Sequence, residues 1–188
     1  MRILGNPVKT GGMKMTRWIW YFWIYSFLGF LLEKLFAAAT HAERQGRKCF
    51  LLLPMCPVYG LGMLAVLVLP KAWTGTFLSL ALWGGLAATA VEYAVHWACE
   101  RFLGVRFWDY SGVPGNLRGR VCPPFTLVWG LLTAAAVRLV HPAVVGLAAQ
   151  IPAAWTCGFF LFFAADAACT ARFLWETHDV EALRRVIG

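Results

Sequence analysis

The sequence predicts an all-α integral membrane protein, a polytopic helical bundle with about five transmembrane helices. Of its 188 residues 60% are hydrophobic and only 14% are charged, which lies outside the composition of soluble globular domains. Apolar stretches of about 20 residues, the length that crosses a hydrocarbon core of ~30 Å, fill most of the chain. No soluble part is large enough to hold a function of its own.

Three regions follow from the distribution of polar residues. Residues 1–17 form a basic, polar leader that is too weakly apolar for the core of a signal peptide. Residues 18–171 form the transmembrane bundle. Residues 172–188 form an amphipathic tail, whose apolar side chains recur at helical spacing opposite charged ones, and we expect this tail to lie at the membrane interface.

The predicted spans are 18–39, 50–69, 73–102, 125–140 and one within 143–170. The second is broken early by Pro54 and Pro57, and the backbone groups that these residues free must be buried in protein or line a cavity. The last region is interrupted by Pro152. It is either one long kinked helix or a short re-entrant piece followed by a span that begins near Ala153.

The charge distribution indicates a membrane partner. Lys and Arg number 17 against 9 Asp and Glu, and they cluster between the apolar segments, where they can face anionic lipid headgroups. This excludes a nucleic-acid partner and predicts location in the cell membrane, plasma or inner. The six cysteines contain no CxxC pair and are interpreted as structural, while the four histidines are too dispersed for a metal site. No cofactor is predicted.

Two hairpins of the chain resemble each other. EKLF at 33–36, a basic stretch and PVYG at 57–60 match ERFL at 100–103, a basic stretch and LVWG at 127–130. The match is either a parallel internal repeat, whose interface is a common place for transporter sites, or a chance similarity of apolar segments.

Carboxyl groups within the spans are the most informative polar residues, because a charge at the centre of a membrane helix costs roughly 2.5 to 3.5 kcal/mol on insertion scales. Glu33, Glu92, Glu100 and Asp166 are such groups, and Glu92 shares a helical stripe with His96 and Glu100. They either lock the bundle through interhelical bonds or line a polar cavity that binds a substrate or an ion.

The loop WDYSGVPGNLRGR, residues 108–120, is the densest polar motif. Asp109 can cap a turn or pair with Arg118 or Arg120, and the loop is either an anion site or a rigid structural plug. The candidate binding residues of the whole chain are Glu33, Glu92, Glu100, Asp109, Asn116 and Arg120.

The sequence resembles the ABC-transporter permease family called CmpB-like, and a related group of vertebrate transmembrane proteins shares its pattern. The resemblance extends from about Trp18 to Thr170 and rests on these motifs: GFLLEKLF (29–36), LPMCPVYGLG (53–62), the helix with two glutamates (92 and 100), FWDYSGVPGNLRGRVC (107–122), LVWG (127–130) and FFAADAACT (162–170). It implies a compact five-span bundle with a permease role. One departure is Leu53-Pro54, where the family commonly has Gly-Pro.

The predicted function is a transporter permease component with a polar intramembrane cavity for a small or lipid-like substrate, with an anion among the options. No GxxxxGK[ST] occurs, so ATP hydrolysis requires a separate ATPase subunit, and the small size of the bundle favours a homo-oligomer or larger complex. The alternatives are an intramembrane enzyme that acts on a lipid or hydrophobic metabolite, and a scaffold. No GxSxG or HExxH motif identifies a catalytic residue.

Overall fold

Four helices of the structure are long and apolar enough to cross a membrane. The structure, a computed structural model, describes residues 7–40 and 49–187. By length and composition the four candidate spans are Met15–Ala39, Phe77–Leu103, Pro123–Gln150 and Ala153–Thr177. A shorter apolar helix, Pro57–Leu67, lies where the second span is predicted. The predicted all-α membrane bundle is confirmed.

The helices, in chain order, are α1 (Pro7–Ala39), α2 (Pro57–Leu67), α3 (Lys71–Thr74), α4 (Phe77–Ala98), α5 (Pro123–Ala135), α6 (His141–Gln150), α7 (Ala153–Thr177) and α8 (Val180–Ile187). A π-helical segment, Cys99–Leu103, extends α4, and another, Ala136–Val140, joins α5 to α6. Helix α1 begins within the predicted leader. Residues 1–6 of that leader and the predicted basic connector 41–48 lie outside the described residues.

The segment where the second span is predicted is half helix and half irregular chain. Residues 49–56 are not helical; Leu51, Met55 and Cys56 are buried, whereas Leu52 and Pro54 are exposed. The carboxylate of Asp166 on α7 accepts hydrogen bonds from the backbone N–H groups of Leu52 (3.2 Å) and Leu53 (2.9 Å). Asp166 therefore satisfies backbone donors that the missing helical turns would otherwise have paired.

The ambiguity over residues 143–170 is resolved. Residues 143–150 are neither a re-entrant piece nor part of one kinked helix over 143–170: helix α6 continues α5 through the π-helical segment, so the fourth span ends at Gln150 and not near 140 as predicted. The last span begins at Ala153, directly after Pro152, which fits the preference of proline for the start of a helix.

Two antiparallel hairpins, α1 with α2 and α4 with α5, pack through equivalent glycines. A Cβ atom on Gly60 would overlap the Ser26 hydroxyl and lie 2.5 Å from the carbonyl oxygen of Phe22 on α1. A Cβ atom on Gly130 would lie 2.5 Å from the carbonyl oxygen of Ala81 on α4. In both hairpins only glycine allows this close approach of the two backbones.

The same geometry corrects the register of the predicted repeat. The aromatic residue before each glycine, Tyr59 or Trp129, reaches across its hairpin and donates a hydrogen bond to a glutamate, Glu33 or Glu92. The partner of Glu33 in the repeat is therefore Glu92, whereas the sequence alignment paired it with Glu100. Identical residue types two turns apart on one helix caused the error, because helical spacing alone does not distinguish them.

The C-terminal helix α8 packs beneath the long loop that follows α4. Leu183 of α8, Leu174 of α7 and Phe107 of the loop are buried in one apolar cluster. The junction is tied by His178, whose Nδ1 lies 2.9 Å from the carbonyl oxygen of Leu103. This cluster fixes the loop at the end of the bundle, while the membrane-interface location of the tail stays a prediction.

Candidate functional site

The loop 104–122 has a defined turn structure. The Tyr110 N–H donates to the carbonyl oxygen of Gly119 (2.8 Å), and Leu117 pairs with Val121 in an isolated antiparallel bridge. Asn116 secures the turn, since its amide donates to the Val113 carbonyl oxygen (2.8 Å) and its Oδ1 accepts from the Gly119 N–H (2.8 Å). Asn116 thus shapes the loop.

Asp109 also acts within the loop. Its Oδ1 accepts from the backbone N–H (2.8 Å) and the hydroxyl (2.5 Å) of Ser111. These hydrogen bonds hold the pKa of the exposed Asp109 carboxyl below its usual range, because they favour the ionised form. Of the two predicted roles of Asp109, the structure shows the capping of a turn. The described residues show no ion pair of Asp109 with Arg118 or Arg120, and Arg120 binds a different carboxylate.

That carboxylate is Glu100, at the end of α4. Arg120 donates to Glu100 Oε2 from Nη2 (2.9 Å) and Nε (3.2 Å), and it donates to the hydroxyl of Tyr93 from Nη1 (2.7 Å). The bonds to Glu100 raise the pKa of the Arg120 guanidinium. Arg106 also binds Glu100, and the indole of Trp108 donates to the carbonyl oxygen of Arg120 (2.9 Å). Charge-assisted bonds therefore attach the loop to α4.

Glu92, His96 and Glu100 lie along one face of the α4 helix and its extension, and all three meet this loop, as their spacing predicts. Glu92 contacts Tyr110, and His96 Nε2 lies 2.9 Å from the carbonyl oxygen of Trp108. A carbonyl oxygen only accepts, so Nε2 carries a proton and Nδ1 of a neutral His96 faces Glu100 Oε2 at 3.9 Å.

A cavity of about 250 Å³ lies between α1, α2, α4, α5 and the loop. Its walls are mainly aromatic and apolar, and two carboxyl groups, those of Glu33 and Glu92, line it. The aromatic lining residues are Phe36, Tyr59, Trp108, Tyr110, Phe125 and Trp129. A smaller cavity of about 60 Å³ shares part of this wall and continues toward Met63 and Thr133.

Glu92 is the deeper of the two carboxyl groups, with only 3% of its surface exposed. Its Oε1 accepts from the Tyr110 hydroxyl (3.1 Å) and its Oε2 from the indole of Trp129 (2.9 Å). Burial, followed by the nearby charge of Glu92, raises the pKa of Tyr110 well above its usual range. Tyr110 therefore keeps its proton and remains a donor at every physiological pH.

Glu33 is half-buried and enters the cavity from α1. The Tyr59 hydroxyl donates to its Oε1 (2.7 Å), and the ring of Tyr59 meets the ring of Trp129 edge to face, with centroids 5.0 Å apart. The two halves of the repeat therefore touch through this aromatic pair, and each contributes one carboxyl group to the same cavity.

The structure divides the six predicted candidates into three pairs. Glu33 and Glu92 line the cavity, Glu100 and Arg120 form the adjoining ion pair, and Asp109 and Asn116 shape the loop.

Sequence reasoning missed the donors that orient the carboxyl groups, Tyr59, Tyr110 and Trp129. A signal for two of them was present, because Tyr59 and Trp129 occupy the same position in PVYG and LVWG.

Cysteines and metals add little to this site. Cys49 and Cys56, with Cα atoms 4.8 Å apart, form a disulfide that closes the non-helical segment before α2, and Cys56 borders the cavity. Cys99, Cys122, Cys157 and Cys169 are free. Among the described residues no group of three or more His, Cys, Asp or Glu is arranged to hold a metal ion.

The comparison with protein families agrees with the fold. The model of the family described as "Putative ABC-transporter type IV" matches residues 20–171, which is most of the chain. No curated protein and no solved structure matches. The relation to vertebrate transmembrane proteins stays a prediction. Because the match covers nearly the whole of the helical membrane region, the chain belongs to the CmpB-type family described as "Putative ABC-transporter type IV".

Proposed function

We propose that the chain is the membrane-spanning component of a transporter and that its cavity binds a small organic ammonium ion. The observation that carries the proposal is the lining, in which the residues that the structure describes supply two carboxyl groups and six aromatic side chains but no Lys, Arg or His. A buried carboxylate without a cationic partner is costly, and a cationic ligand offsets that cost.

The aromatic walls support an organic cation over a metal ion. Aromatic faces attract ammonium groups through the ring quadrupole, and desolvated cases reach about 2 kcal/mol. Two rings, Tyr110 and Phe125, stack with centroids 4.8 Å apart, and Tyr59 and Trp129 form the second pair. Both tyrosines and the indole present their donors to Glu33 or Glu92, which fixes the carboxylate orientation before a ligand arrives.

The arginines offer little to an anion. The side chain of Arg120 is 12% exposed, and its guanidinium is bound to Glu100 and stacked against Tyr93, with Cζ 5.0 Å from the ring centroid. Arg106 also binds Glu100. The ion pair therefore supports the cavity wall, and the ligand charge that complements the lining is positive.

Transport requires further components. The chain contains no P-loop motif, so we propose a separate ATPase subunit, and the size of the bundle favours a second copy of the chain to complete a pathway. Cys56, at the end of the non-helical segment 49–56, and Val58, in the first turn of α2, border the cavity, so a shift of this segment offers a route by which the cavity opens. The proposed location is the plasma or inner membrane.

Binding by the full chain in lipid nanodiscs tests the ligand class. Isothermal titration with methylammonium and tetramethylammonium should give saturable heats, whereas acetate and inorganic phosphate should give none. Tighter binding of either anion would refute a cation site. Recovery of the ligand unchanged after incubation separates a binding protein from an enzyme that converts it.

Co-purification tests the transport role. The chain, isolated from its native membranes in mild detergent, should carry an ATPase subunit whose ATP hydrolysis methylammonium stimulates. A chain that stays alone and monomeric under these conditions would contradict the transporter assignment without touching the cation site.

A further inference from the structure

A second cavity, of about 330 Å³, adjoins the carboxylate cavity and is lined by apolar groups. Cys56, Val58 and Trp108 border both cavities, so the two cavities adjoin at these three side chains. One wall of the second cavity is formed by α4 and its extension, which contribute Ala98 and Cys99. Among residues 7–40 and 49–187, none that lines it is charged.

From this arrangement we propose that the ligand is a cationic amphiphile, with an ammonium head in the carboxylate cavity and a single alkyl tail in the apolar cavity. The inference rests on the proposed function and specifies its substrate class. A simple cation accounts for the two carboxyl groups but not for the apolar cavity beside them. Binding in the apolar cavity is favourable only for a ligand that places apolar surface there.

The lining residues of α4 indicate the path of the alkyl tail of the ligand. Glu92 and Val95 lie one helical turn apart on α4, with Glu92 in the carboxylate cavity and Val95 in the apolar one. Ala98 and Phe102 continue this wall toward the end of the helix. A chain attached to an ammonium group at Glu92 therefore passes into purely apolar surroundings within a few carbon atoms.

The test is a series of primary alkylammonium ions, from methyl to hexyl, titrated into the full chain in nanodiscs. Each buried methylene should tighten binding about fourfold, which corresponds to about 0.8 kcal/mol per CH₂. Ala98→Phe should fill the apolar cavity, abolish this gain and leave methylammonium binding within about threefold of the unsubstituted chain.

Ala94→Phe is the matched control, because Ala94 lies one turn earlier on α4, is exposed and lines neither cavity. It adds the same ring and leaves partitioning of the ligand into lipid unchanged, so the full chain-length dependence should persist. Equal dependence in the two variants, or none in the unsubstituted chain while methylammonium binds, would overturn the amphiphile proposal alone. Absence of methylammonium binding would overturn the cation site itself.

A second measurement needs no substitution. Cys99 lines the apolar cavity and is free, whereas the free Cys157 on α7 is exposed and remote from it. Hexylammonium should slow maleimide alkylation of Cys99 at least fivefold, as read by peptide mass spectrometry, without slowing Cys157, and methylammonium should slow neither. Equal rates at Cys99 with hexylammonium and methylammonium would refute a tail in this cavity.

Discussion

Substitution of Glu92 separates its structural role from its proposed binding role. Glu92→Leu removes the acceptor of two partly buried donors, the Tyr110 hydroxyl and the Trp129 indole, at 3.1 and 2.9 Å. A fully buried unsatisfied donor costs about 1–3 kcal/mol, and because these two are only partly buried this variant should lose about 2–4 kcal/mol of stability. Glu92→Gln keeps an oxygen for the indole, and its amide can donate to the Tyr110 oxygen, so its loss should stay within about 1 kcal/mol.

Binding should respond in a different order from stability. Glu92→Gln removes the negative charge, and a hydrogen bond to a charged group is worth about 1.5–3 kcal/mol, so methylammonium affinity should fall roughly 10- to 150-fold. Thermal unfolding in detergent and titration calorimetry in nanodiscs measure the two effects. Glu176→Gln, the same change in the exposed pair with Arg172 on α7, is the control and should alter neither.

Two results would refute this reasoning. If Glu92→Leu were as stable as Glu92→Gln, the two hydrogen bonds would not hold the cavity wall. If Glu92→Gln bound methylammonium as tightly as the unsubstituted chain, the carboxylate would not be the cation site, whatever its effect on stability.

Three further predictions concern helix packing and the loop. Gly130→Val should lower the free energy of unfolding by about 1–3 kcal/mol or more, measured by thermal unfolding, because the new side chain meets the backbone of α4. Gly146→Val, which has open space around it, should lower it much less. Equal losses would contradict the close approach of α4 and α5. Arg120→Met should speed proteolysis within the loop 104–122 about tenfold or more, since bonds to a charged group worth about 1.5–3 kcal/mol are lost; an unchanged rate would show that the ion pair does not hold the loop. Asp109 has a lowered pKa, so its contribution to loop stability is present above the unfolded value of about 3.9 and is lost as pH falls through the folded value. Peptic cleavage of the loop should therefore accelerate below about pH 4, and less so in Asp109→Asn, whose amide oxygen still accepts from the same donors; identical acid profiles would refute this.

Two of the six candidate residues line the cavity, and both are residues that an apolar surrounding makes conspicuous in the sequence; their functional role stays a prediction. Glu33 and Glu92 stand out in apolar segments, and both line the cavity. Glu100 stands out equally, yet it binds Arg120 from a loop 20 residues later in the chain. Hydropathy shows that a carboxyl group in a membrane segment is costly, but it does not show which partner offsets the cost. For Glu100 that partner depends on the fold of the loop 104–122.

The error in the alignment of the internal repeat had a similar origin. EKLF and ERFL align Glu33 with Glu100, while the hydrogen bonds from Tyr59 and Trp129 align Glu33 with Glu92. In the sequence the alignment of the two hairpins depends on a match of four neighbouring residues. In the structure it depends on where the paired helices come into contact, which is at Gly60 and at Gly130.

By itself the sequence determined that the protein lies in a lipid bilayer and therefore that it is an α-helical membrane protein. Long apolar segments must be helical in lipid, because every backbone polar group has to be satisfied within the segment. For the same reason, the backbone groups freed at Pro54 and Pro57 had to be paired within the protein or line a cavity. Only the tertiary structure decided which polar groups meet. It divided the carboxyl groups among a loop, an ion pair and a cavity, since hydrogen bonds between residues far apart in the chain depend on helix contacts that no local pattern encodes.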